Sequence, residues 1–89
     1  METGTDYDLK LQQALKNYSG AKTNDDKYGT LKLMASIMNE DILAGREAGI
    51  PEKTLEEKER IAKEFVSSIQ EKTRDEKKLR AQIQDFIKL

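Results

Sequence analysis

From Lys27 to Ala48 the chain reads KYGTLKLMASIMNEDILAGREA, and this stretch constrains the fold more than any other. Tyr28, Leu31, Ala35, Met38 and Ile42 recur at three- and four-residue steps, the spacing of an amphipathic helix. Leu33, Met34, Ile37 and Leu43 widen the apolar arc well past what one flat contact needs. A helix apolar over so wide an arc is packed on more than one side. The segment at about 26–48 is therefore predicted to be the central helix of an all-α fold, or a helix that also meets a partner.

The rest of the chain supplies its neighbours. Residues 1–5 are predicted to be disordered and residues 6–89 to form a single helical domain. A first helix is expected over 6–18, capped by Thr5 or Asp6, with Tyr7, Leu11, Ala14, Leu15 and Tyr18 as its stripe and Gly20 as its left-handed stop. Asn24 or Asp25 is expected to cap the second helix, which Gly29 delays to about Thr30. Gly49-Ile50-Pro51 reads as that helix's end, and Gly45 as a loosening of its last turns. Thr54-Leu55-Glu56-Glu57 has the form of a capping box opening a third helix over 54–72. Its inward face is Leu55, Ile61, Ala62, Phe65, Val66 and Ile69. Thr73-Arg74-Asp75-Glu76 is a second box, and Leu79, Ile83, Phe86 and Ile87 form a last stripe. No proline or glycine separates the third and fourth stripes, so a kink, a turn and a continuous helix are all compatible. A break near Glu71–Asp75, with a fourth helix over 75–88, is the favoured form. Nothing alternates with period two, and the chain has a single valine. The expected architecture is a small bundle or helical hairpin of three to four helices.

Composition removes whole classes of chemistry. With no cysteine and no histidine, disulfides, thiolate zinc sites, Cys–His and Ser–His catalysis and haem ligation by histidine are excluded. There is no glycine-rich phosphate loop. Glu40-Asp41 are adjacent carboxylates, but neighbours on a helix point about 100° apart and cannot share a site; they read as a polar gap in an apolar stripe. Glu40 and Glu47 share roughly one face, yet without a Glu-x-x-His motif they do not make a di-iron site. No enzymatic activity, cofactor or metal is expected.

Charge is high and balanced, 16 basic against 17 acidic residues, which does not suit strong non-specific binding to nucleic acid. The start is mildly acidic and the end mildly basic. Lys72, Arg74, Lys77, Lys78 and Arg80 form the densest basic cluster, a candidate RNA patch, although they spread around the helix and no aromatic is interleaved for stacking. Met34 and Met38, one turn apart, suit either core filling or an adaptable groove. No stretch has the apolar length of a membrane span, and the N-terminus lacks the pattern of a signal peptide, so a cytoplasmic location is expected.

From Asp26 onward the order of features resembles the helical tail domain of the GatB/YqeY family. The matching run is Asp26-Lys27-Tyr28-Gly29-Thr30-Leu31-Lys32-Leu33, followed by Met34-Ala35-Ser36-Ile37, with Ala81 to Leu89 similar to that family's final helix. The resemblance covers about two-thirds of the chain and implies a tRNA- or RNA-associated helical module. This chain departs from the pattern on the third helix, where Lys63-Glu64-Phe65-Val66-Ser67-Ser68 stands in place of a strongly basic stretch. It also holds no counterpart of the family's second small domain.

Three functional expectations follow. The first is a small non-catalytic interaction protein, an adaptor or inhibitor of a larger partner, acting through a helical surface. The second is the RNA module. The third is a self-associating structural subunit, and self-association is expected, most simply as a two-fold homodimer with the second or the C-terminal helix at the seam. Leu33, Ile37 and Leu43 are the candidate interface residues.

Overall fold

The structure, a computed structural model, describes residues 3–71 and 75–89. Four helices follow one another: α1 (Thr3–Gly20), α2 (Asn24–Ala48), α3 (Glu52–Ile69) and α4 (Glu76–Lys88). The all-α expectation holds, and among the described residues there is no strand. α2 packs against α1 on one side and α3 on the other, and α4 closes the ring by touching both α3 and α1. The connections are short, so consecutive helices run antiparallel. Contacts at the Gly20 end agree with this. Arg80 of α4 donates to the Ser19 hydroxyl of α1 at 2.7 Å, and Lys27 of α2 pairs with Glu76 of α4 at 3.6 Å. At 1.5 Å per residue α2 is about 37 Å long, which accounts for the molecule's 39 Å long dimension.

The helix ends depart from the sequence reading in instructive ways. α1 begins at Thr3, so Thr5 and Asp6 lie within it rather than capping it. Gly20 is its last helical residue, but not a left-handed one, since Gly49 is the sole residue with positive φ among those described. The Ala21 N–H instead reaches the Tyr18 carbonyl at 3.2 Å, a three-residue closure that needs no special conformation. Thr23, one residue before the expected cap, accepts the Asp26 N–H at 3.1 Å. Asp25 and Asp26 sit in the first turn as the helix dipole favours. Gly29 does not delay α2, because the Thr23 cap and that acidic turn already anchor it upstream.

The end of α2 is a complete Schellman motif. Gly49 takes φ 82°, its N–H donates to the Arg46 carbonyl, and the Ile50 N–H donates to the Gly45 carbonyl at 2.9 Å. Gly45 does not loosen the turn. It is buried, and a Cβ there would lie 3.2 Å from Leu55 Cδ2 and 3.3 Å from Ile50 Cγ1, so its bare backbone admits the following chain. Pro51 then starts α3 directly, with the Leu55 N–H bonded to its carbonyl at 3.1 Å. Thr54 is thereby already inside the first turn, and the Thr54–Glu57 box does not form. α3 and α4 are separate helices, as favoured, but α3 stops at Ile69 with Gln70 as its cap, short of the expected end at about 72. Asp75 caps α4, accepting the N–H groups of Lys77 and Lys78 at 3.0 and 3.3 Å. The expected box put the cap at Thr73, which lies outside the described residues, and the helix start at Asp75, which is the cap itself.

Among the described residues sixteen apolar ones make one continuous core, including Leu11, Leu31, Met34, Met38, Phe65, Ile83 and Phe86, all removed from solvent. Both methionines are thus core filling. Tyr28, expected on the core stripe, is at the surface, with Lys32 Nζ 5.5 Å from its ring centre.

Candidate interaction surface

α2 buries one face completely and leaves two leucines outside. Leu33 is 51 % exposed and Leu43 57 % exposed, whereas Ile37 is 6 % exposed and belongs to the core. The three proposed interface residues therefore do not form one patch. Ile37 lies where the apolar stripe turns inward towards α1. The two leucines border different seams because ten residues along a helix rotate by about 80° net of whole turns.

Leu33 borders the α1–α2 seam with Lys10, Ala14, Asn17 and Glu40. Leu43 borders the α2–α3 seam, an open groove of 690 Å³. Ala35, Ile42 and Ala62 line this groove with Leu43 and Val66, and Asn39, Lys63 and Ser67 are its polar members. At one end Arg46 Nη2 pairs with Glu59 Oε1 at 2.6 Å across the seam. Ala35 and Ala62 bring only methyl groups to this lining.

The basic cluster is only partly brought together. Lys72 and Arg74 lie outside the described residues. Lys78 pairs with Glu71 at 3.6 Å, and Arg80 is held by Ser19. Lys77 is exposed on α4. Among the described residues no group of three or more acidic residues could hold a metal ion.

The sequence reading missed one feature. At the Gly49 end of the bundle Asp41, flanked by the buried Met38 and Ile42, is itself buried and receives a hydrogen bond from Lys58 Nζ at 2.9 Å. The side chains are 4 % and 11 % exposed. The same ammonium lies 5.2 Å from the centre of the Phe86 ring, a cation–π contact with α4. Asp8 of α1 borders the same small cavity of 140 Å³, with Gly45, Ile50, Ile87 and Leu89. Burial pushes the Asp8 carboxyl above its ordinary value, the Asp41 charge adds to this, and Lys58 opposes it. A signal for the pair was present. Asp41 continues the 31, 34, 38 stripe of α2, and Lys58 continues the 55, 62, 65 stripe of α3. Opposite charges on the core stripes of adjacent antiparallel helices are placed to meet. Glu40, by contrast, points outward and takes no part.

No protein family, curated protein or solved structure matches the chain.

Proposed function

We propose that the protein is a small non-catalytic interaction protein, an adaptor or inhibitor of a larger partner, that receives an amphipathic helix of that partner along the α2–α3 seam. The observation that carries this is the groove beside Leu43, apolar along its base and open to solvent. Helix-in-groove recognition needs such a trough, with small residues admitting the incoming backbone and a larger apolar side chain at the rim. Leu43 and Val66 supply the rim, and the Arg46–Glu59 pair with Lys63 supplies polar contacts that fix register. The absence of histidine and cysteine from the sequence supports a role without catalysis. A cytoplasmic site of action belongs to the same reading; among the described residues no helix is long and apolar enough to cross a membrane.

Solution mass by light scattering, followed by Leu43→Glu, tests this against self-association. The proposal expects a monomer whose mass the variant leaves unchanged. A concentration-dependent dimer broken by Leu43→Glu would assign the groove to a second copy of the chain instead. The RNA-associated alternative, which follows from the GatB/YqeY resemblance, would rest on Lys77, Lys78 and Arg80, two of which already have partners within the bundle. Salt-sensitive tRNA binding, lost when Lys77 and Arg80 are changed to glutamate, would support it in place of the protein partner.

A further inference from the structure

The Gly49 end of the bundle brings charged groups from three helices to one small cavity. α1 contributes Asp8, α2 contributes Asp41 and α3 contributes Lys58, while Ile87 of α4 and Leu89 just beyond it are among the apolar lining. Two carboxylates thus share one ammonium in neutral solution. Asp41 takes it, at 2.9 Å. Asp8 has no ion pair or hydrogen bond of its own among the described residues, and it is half-buried beside a second negative charge. α1 is therefore seated at this end against net electrostatic resistance, which the attraction of Lys58 only partly offsets.

We propose that Asp8 makes this end of the bundle an acid-sensitive latch, in which α1 seats more firmly against α2 and α3 as the solution becomes mildly acidic. A protonated Asp8 removes the repulsion from Asp41 and the cost of burying a charge, and leaves the Asp41–Lys58 pair undivided. The sign follows from linkage. Burial, reinforced by Asp41, raises the native Asp8 carboxyl above its ordinary value of 3.8. Between that value and the raised one the native state binds more protons than the unfolded state, so stability from this group increases as pH falls. Carboxylates that gain a partner on folding act in the opposite sense, which makes the effect separable. It is independent of what docks on the α2–α3 seam.

The test follows the Asp8 carboxyl carbon by NMR in the full chain, together with hydrogen exchange of the α1 amides corrected for intrinsic rates, from neutral pH down to about pH 4. Asp8→Asn is the comparison, since it keeps the shape and removes the charge. The expected result is an Asp8 midpoint above 3.8 and α1 protection that rises on acidification. In Asp8→Asn that protection is already high at neutral pH, and the remaining response is smaller than in the parent. An Asp8 midpoint at or below the ordinary value would overturn the proposal, as would an unaltered pH response in the variant.

Discussion

Lys58 Nζ and Asp41 Oδ2 lie 2.9 Å apart, 17 residues distant in sequence, with both side chains nearly sealed from solvent. The pair joins α2 to α3 near the Gly49 corner, and the Phe86 ring beside the ammonium adds α4 to the junction. A buried pair is costly to desolvate, so its net contribution to stability is small, but removal of one partner strands the other charge.

Lys58→Met should therefore destabilise the fold by about 3–5 kcal/mol, and Asp41→Leu by less, because Asp8 lines the same cavity and leaves the ammonium a second carboxylate. The double variant should lose less than the two changes summed, because neither charge is then left alone. Urea denaturation of the three proteins measures this. Strict additivity would mean that the two groups do not depend on one another.

Two glycines should respond oppositely to alanine. Gly49 holds a left-handed φ of 82°, so Gly49→Ala should cost about 1–2 kcal/mol. Gly29 lies within α2, and an alanine methyl there would meet no atom of the rest of the fold within 4 Å, so Gly29→Ala should stabilise by up to about 1 kcal/mol. Thermal melts of the two variants should move in opposite directions.

The two faces of α2 should separate cleanly. Met38→Ala, and Phe65→Ala on the facing α3, remove fully buried side chains and should cost about 2–5 kcal/mol. Leu43→Ala, at the surface, should stay within about 0.5 kcal/mol of the parent. Ile37→Glu places a charge in the core and should unfold the protein, whereas Leu43→Glu should leave its circular dichroism unchanged. This makes Leu43 the usable probe of the surface and Ile37 an unsuitable one.

Periodicity made the fold legible. The stripes of α1, α3 and α4 name almost all the residues those helices bury, and Gly49 marks an end that the structure confirms. The helix starts were less legible, because caps compete locally. Thr23 outranks Asn24 by position, and Pro51 starts α3 before Thr54 can act. The breadth of the α2 arc was read correctly as contact on more than one side. Its division was not, because periodicity alone does not tell that Ile37 meets α1 while Leu33 and Leu43 fall outside two separate seams. The Asp41–Lys58 pair was not legible for a related reason: within its own helix Asp41 reads as a polar gap, and only the antiparallel pairing of α2 with α3 gives it a partner.

The central claim, that the α2–α3 seam receives a partner helix, is tested most directly by a photo-crosslinking residue placed at position 43 in the native host. The account predicts an adduct to one protein, mapped to an amphipathic helix of it. Excess parent protein should compete the adduct away, and excess protein carrying Leu43→Glu, a change at an exposed groove residue, should not. The same probe at the exposed Lys53 should give no such adduct. Equal labelling from both positions, or equal competition by the groove variant, would contradict the claim.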